Sequence, residues 1–98
     1  MAKVRDRVMV EGRVQGVYYR SCAEEEARRL GVTGWIHNRR DGRVEMVIEG
    51  EERDVKAMIA WSRQGSPVSR VENVEVVREP YAGEFNDFRV LYMRGGDE

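Results

Sequence analysis

Apolar and polar positions along this chain switch between two periods. From Arg5 to Glu11 the alternation has period 2. Val8 and Val10 share one face and Met9 takes the other, which predicts a strand. From Tyr19 to Leu30 the period is helical. Tyr19, Cys22, Ala23, Glu26, Ala27 and Leu30 fall on one mostly apolar side, and Gly31 stands where a helix is commonly closed. Glu24–Arg28 and Glu25–Arg29 are spaced to pair on the solvent side of that helix. Val32 to Asn38 predicts a second strand. Arg43 to Glu49 predicts a third, with Val44, Met46 and Ile48 alternating against Glu45, Val47 and Glu49. Asp41-Gly42 between them is a hairpin signal. Acidic residues open a second helix over Glu51 to Gln64, Gly65 closes it, and Ser66-Pro67 breaks the chain. Val71 to Glu79 and Phe88 to Met93 are the remaining strands, and Arg94 to Glu98 reads as a fraying end.

The order β-α-β-β-α-β with one extra strand predicts an α+β two-layer sandwich, both helices lying on one face of a mainly antiparallel sheet. Ninety-eight residues allow one domain, 1–98. A chain of that length buries about two-thirds of its unfolded surface, enough for one real core. Seventeen basic and 18 acidic residues give a net charge of −1, without the basic excess usual in nucleic-acid binders. The single Cys excludes an internal disulfide, and one Cys with one His cannot supply a zinc site, which takes about four ligands. The N-terminus has no apolar core of a signal peptide, and the longest apolar run is Ala57 to Trp61. A cytoplasmic protein with no membrane, nucleic-acid, metal or cofactor partner is the expectation, and a monomer is expected.

Two segments carry candidate chemistry. Gly12 to Arg20 connects a strand to a helix N-terminus, where successive backbone N–H groups converge and the helix dipole adds positive charge. Gly16 permits a positive φ or the close approach of a ligand. Arg20 opens the helix and can point its planar fork into the same nest. Together these parts suit a phosphate-like dianion; the plainer alternative is an ordinary strand-to-helix turn with a solvent-exposed arginine. The loop has neither the Gly-Lys-Ser/Thr ending of a Walker A sequence nor a dinucleotide fingerprint. In the second segment, Gly34 to Gly42, Asn38 ends a strand before a hairpin. Taken alone, Asn in that place is commonly a turn residue bonded to its own backbone. Arg39 and Arg40 read as a solvated hairpin tip. His37 alternates with Asn38 and so faces the other way, Cys22 falls on the apolar side of the first helix, and Trp35 and Trp61 read as packing residues.

Taken together, the two segments resemble the acylphosphatase family. Its pattern Val-x-Gly-x-Val-Gln-Gly-Val-x-Phe/Tyr-Arg is matched by Val10 through Arg20. Its pattern Gly-Trp-Val-x-Asn-x-x-Asp-Gly is matched by Gly34 through Gly42, with Ile36 in place of Val. A weaker match runs from Gly65 to Val71, where the family more often has Pro and Ala at the positions of Ser66 and Ser69; that loop is expected to lie outside the site. The resemblance implies a ferredoxin-like fold with sheet order 4-1-3-2 and a short fifth strand beside strand 2. It implies an enzyme that hydrolyses acyl phosphates to a carboxylate and inorganic phosphate without a metal. It implies that Arg20 binds the phosphoryl group, that the backbone N–H groups of Gln15, Gly16, Val17, Tyr18, Tyr19 and Arg20 cradle it, and that Asn38 holds the attacking water. Two other classes share the element order. An RNA-recognition domain needs aromatic residues on its central strands, and Arg43 to Glu49 has none. A non-catalytic anion-sensing or regulatory domain would keep the cradle without turnover, and the presence of both Arg20 and Asn38 argues against it.

Overall fold

The computed structural model describes residues 2–92. Its elements are β1 (Lys3–Arg13), α1 (Tyr19–Leu30), β2 (Thr33–Asn38), β3 (Val44–Glu51), α2 (Glu52–Gln64), β4 (Arg70–Glu79) and β5 (Phe88–Val90). The sheet order is β4-β1-β3-β2-β5, with β5 parallel to β2 and every other neighbour antiparallel. This is the ferredoxin-like arrangement expected, with the fifth strand at the expected edge. The expected end of that strand at Met93, and the tail from Arg94 to Glu98, lie outside the described residues.

Element ends follow local chemistry. The α1 helix closes where Gly31 and Val32 turn their amides back to the carbonyls of Arg28 and Ala27. The β1 strand runs longer at both ends than its alternation indicates, because Lys3 and Val4 pair with β3 at its start and Gly12 and Arg13 pair with β4 beyond an irregularity between Glu11 and Gly12. Gly34 sits at φ +143°, and a Cβ there would lie 1.9 Å from the carbonyl oxygen of Val47, so only glycine lets β2 approach β3 this closely.

Val8, Val10, Ile36, Met46 and Ile48 from the sheet meet Tyr19, Ala23, Ala27, Val55 and Met58 from the helices in one core. Burying each large apolar side chain contributes about 1.5–3 kcal/mol. The Tyr19 ring lies 5.1 Å from that of Trp61, and its hydroxyl donates to the Ser62 carbonyl at 2.8 Å. Burial pushes the Tyr19 phenol well above its ordinary range. The tyrosine thereby ties the first turn of α1 to α2.

The opposite face of the sheet departs from simple alternation. Glu45, Val47 and Glu49 are buried, although their register faces them away from the helices. Arginines and the segment after β4 cover them. Arg5 pairs with Glu49, Glu79 and Glu84, and Arg7 with Glu45 and Glu79. The backbone amides of Ala82 and Gly83 donate to the Glu49 carboxylate. Burial pushes the Glu45 carboxyl up, but hydrogen bonds from His37 and Arg7 outweigh that and leave it below its usual value. Of the helical pairs, Glu24–Arg28 forms at 3.2 Å, whereas Arg29 takes Glu26 one turn back rather than Glu25. Among the described residues, no helix is long and apolar enough to cross a membrane.

Candidate active site

The loop between β1 and α1 is held in an unusual conformation. Gly16 has φ +73°, and Tyr18 at φ 65° is the one non-glycine residue with positive φ among the described residues. A bulky residue in that region costs about 1–2 kcal/mol. Tyr18 is also the N-cap of α1, and it makes no side-chain capping bond; the first turn holds no acid. By contrast α2 carries Glu52 and Asp54 in its first turn, the usual complement to the dipole. The first intrahelical bond of α1 is Cys22 N–H to Tyr18 O at 3.1 Å, so the amides of Tyr19, Arg20 and Ser21 have no carbonyl within the helix. The α1 N-terminus therefore presents donors and positive potential with no side chain of its own to neutralise them.

Arg20 adds a cation there. Its Nη1 donates to the Leu91 carbonyl at 3.4 Å, and the guanidinium lies 4.8 Å from the centre of the Tyr92 ring. A cavity of about 290 Å³ opens at this point, lined by Val14, Gly16, Tyr18, Tyr19, Arg20, Ser21 and Tyr92. It brings together Gly16, Tyr18, Tyr19 and Arg20 of the expected site. Gln15, Val17 and Asn38 are not in its lining. A larger cavity of about 800 Å³, between Cys22, Arg29, Trp61 and Pro67, contains none of the motif residues of the loop or the hairpin.

The three remaining residues are wired to the same place. The Gln15 side-chain Nε2 donates to the carbonyls of Arg39 at 2.7 Å and Arg43 at 3.0 Å. This clamps the loop to the hairpin that carries Asn38. The Val17 carbonyl accepts from Ser66 Oγ at 2.6 Å. The Leu91 amide donates to Ile36 O at 2.8 Å, which places the residue under Arg20 two positions from Asn38 along β2. Ser66 thus corrects the expectation that the loop after α2 stands apart from the site. No motif marks this contact in the sequence, because 49 residues separate the two partners.

Asn38 pairs with Val44 at the end of β2 and faces the helix side, buried at 7% exposure. It does not cap the turn. Asp41 does so instead, accepting from the Arg43 side chain and amide and from Arg39, and those bonds hold its carboxyl far below the usual range. Arg39 also reaches Glu45 at 3.3 Å, so it is not simply a solvated tip. The Asn38 Oδ1 is buried and accepts no hydrogen bond. An acceptor in that state costs about 1–3 kcal/mol. His37 lies on the other face, its Nε2 donating to Glu45 Oε1 at 2.8 Å and its buried Nδ1 unbonded. Cys22 is half-buried at the edge of the larger cavity rather than packed in the core. Among the described residues, no three His, Cys, Asp or Glu side chains cluster to hold a metal.

A ferredoxin-like domain with an uncapped helix N-terminus, an arginine in its first turn and a buried, unbonded amide oxygen on the hairpin tied to that loop is an α+β protein with donors suited to an anion. The acylphosphatase family model matches residues 6–90, and the chain belongs to that family of enzymes. It is 47% identical over 92 residues to an acylphosphatase of Pelotomaculum thermopropionicum, covering 94% of this chain and 100% of that protein. It is 51% identical over 89 residues to one from Pyrobaculum calidifontis, covering 90% of this chain and 81% of the relative. The crystal structure of acylphosphatase from Bacillus subtilis superposes with a TM-score of 0.87 at 35% identity, covering 91% of this chain and 99% of that one.

Proposed function

We propose that this chain hydrolyses the carboxyl–phosphate anhydride of acyl phosphates, with Arg20 and the backbone amides of Gln15 to Arg20 holding the phosphoryl group and Asn38 orienting the attacking water. The observation that carries the reading is the buried, unbonded Oδ1 of Asn38, clamped by Gln15 to the loop that opens the α1 N-terminus. A water that donates one hydrogen to this oxygen has its lone pair turned elsewhere, toward phosphorus. Asn has no useful basicity, so it aims the water without deprotonating it.

The chemistry needs little more. The water oxygen bonds to phosphorus, the bond from phosphorus to the acyl oxygen breaks, and its electron pair leaves on the carboxylate. That leaving group is weakly basic and departs without a proton donor. The proton of the water passes to a phosphoryl oxygen of the substrate. Phosphoryl transfer asks the protein for positioning and charge stabilisation. The Arg20 fork can take two oxygens at once, and fixed N–H groups meet the charge on the others.

The test is purified protein with benzoyl phosphate, followed by loss of ultraviolet absorbance, after exhaustive dialysis against a chelator. Turnover should survive dialysis. Arg20→Ala should lose turnover and affinity for inorganic phosphate together. Arg20→Lys should recover little, because a point charge cannot reproduce two parallel hydrogen bonds. His37→Gln and Cys22→Ala should stay within a few-fold of wild type. Turnover restored only by added magnesium or zinc, or wild-type phosphate binding by Arg20→Ala, would overturn the mechanism.

A further inference from the structure

We propose that Tyr18 and Tyr92 form an acyl subsite that makes this chain prefer aromatic acyl phosphates to small aliphatic ones. The proposal rests on the reading of the α1 N-terminus as the phosphoryl site and adds what lies on the other side of the scissile bond.

Among the described residues, Tyr18 at 75% and Tyr92 at 71% are the two most exposed large apolar side chains. Both line the one cavity that Arg20 also lines. Exposed aromatics scattered over a surface carry no information, but here the two extremes converge on one place. Tyr18 is exposed although its backbone stands in the left-handed region, which a bulky side chain adopts at a cost. No core contact accounts for this, since its neighbour Tyr19 fills the core. Strained side chains of this kind concentrate at ligand sites.

The geometry assigns the acyl end by exclusion. Helix amides and Arg20 meet the phosphoryl group, so the acyl group points away from them, toward the mouth. A phosphoryl group with its bridging oxygen has five heavy atoms, and at about 30 Å³ for each water-sized group it fills about half of the 290 Å³. Among the described residues, the rest of the lining is Val14, Gly16, Tyr19, Ser21 and the rings of Tyr18 and Tyr92, with no acid and no cation but Arg20. Nothing there reads a charged or strongly polar acyl chain, whereas two ring faces suit a flat apolar one. The Tyr92 ring already meets a flat group, the Arg20 guanidinium at 4.8 Å, so a planar acyl group would extend an existing stack.

The experiment compares kcat/KM for benzoyl phosphate and acetyl phosphate in wild type, Tyr92→Ala, Tyr92→Phe, Tyr18→Ala and Tyr18→Asn. Asn tolerates the left-handed backbone, so it removes the ring without straining the loop. The benzoyl-to-acetyl ratio should fall about three- to tenfold in Tyr92→Ala and in both Tyr18 variants, and should persist in Tyr92→Phe. Circular dichroism and competitive inhibition by inorganic phosphate establish that each variant is folded with its phosphate site intact. A ratio unchanged in every ring-deleted variant, with acetyl phosphate still turned over, overturns the subsite alone. Equal loss on both substrates overturns it too, because the rings would then act on the phosphoryl side. Wild-type protein that hydrolyses neither substrate overturns the phosphoryl reading and the subsite with it.

Discussion

Asn38→Ala separates function from stability in opposite directions. The side chain is buried at 7% exposure and its Oδ1 has no donor, so the folded state carries the desolvation cost of an unpaired acceptor. Removing that oxygen returns about 1–3 kcal/mol. The truncation also loses packing of the side-chain amide carbon, about 0.8 kcal/mol if it is treated as one methylene. The net expectation is a variant about 0–2 kcal/mol more stable than wild type. For a domain of this size that is up to about 10 °C in Tm. Turnover should nevertheless fall about 10²–10³-fold, the usual loss when one positioned polar group is removed from a reacting centre. Inorganic phosphate should bind as before, because Asn38 is assigned to the water. Urea unfolding with an unchanged m-value, benzoyl phosphate turnover and calorimetry with phosphate give the three readings. Destabilisation by more than about 1 kcal/mol would mean that Oδ1 is satisfied in solution by a structural partner. Turnover near wild type would remove Asn38 from the mechanism.

Two further variants probe how the site is held. Gln15→Met deletes the donor to Arg39 O and Arg43 O while keeping the backbone amide. It should cost about 1–2 kcal/mol in stability and lower kcat about tenfold, with the phosphate inhibition constant moving less than kcat; unchanged kcat in a folded variant would deny the clamp a role in positioning. Tyr19→Phe removes the bond to Ser62 O and should cost about 1 kcal/mol at neutral pH. Because burial raises the folded-state pKa, the stability tied to the neutral phenol is fully present below the unfolded value of about 10 and is lost as pH rises above it. Wild type should therefore lose its advantage over Tyr19→Phe at about pH 11, where the unfolded phenol has gained about 1.4 kcal/mol. Parallel stability curves from pH 7 to 11 would show that the hydroxyl ionises in the folded state after all.

Elements were legible where one local signal decided them. Gly31 after an apolar stripe marked the end of α1 to the residue, and Asp41-Gly42 placed the hairpin between β2 and β3. Strand ends were less so, because β1 starts where β3 and ends where β4 offers it a partner, and no residue in β1 encodes that. Alternation told which face Glu45, Val47 and Glu49 occupy but not what covers that face. The cover comes from Arg5 and Arg7 on a neighbouring strand and from the amides of Ala82 and Gly83, far along the chain. The site divides the same way. The anion-binding character of Gly12 to Arg20 follows from its place between a strand and a helix. Local reasoning at Asn38 favoured a turn role, and that role belongs to Asp41. The Ser66–Val17 bond joins segments that only the folded chain brings together, so the sequence held no sign of it.

Three locally unfavourable features lie on the loop that opens α1 and on the hairpin that Gln15 ties to it, and that arrangement is itself an argument about function. Tyr18 holds a left-handed backbone, Arg20 places positive charge at the positive end of a helix, and Asn38 keeps a buried oxygen unpaired. By ordinary magnitudes these cost about 1–3 kcal/mol, 0.3–1 kcal/mol and 1–3 kcal/mol. Their sum is a sizeable part of the 5–15 kcal/mol that holds a domain of ordinary stability together. Elsewhere local rules are mostly met, since α2 is acidic at its start, Asp41 closes its turn and Glu49 is paired in its burial, with the buried, unbonded Nδ1 of His37 on the other face of the sheet as an exception. These three, unlike the His37 nitrogen, share a remedy. In the proposed reading, a phosphoryl dianion at the α1 N-terminus meets the Arg20 guanidinium and the amides that the Tyr18 conformation exposes. In the same reading, a water hydrogen-bonded to Asn38 would satisfy the remaining acceptor. One ligand with one water would then satisfy the open amides and the unpaired oxygen and put the strained loop to use, which is the argument for treating the cradle and the asparagine as one site rather than two.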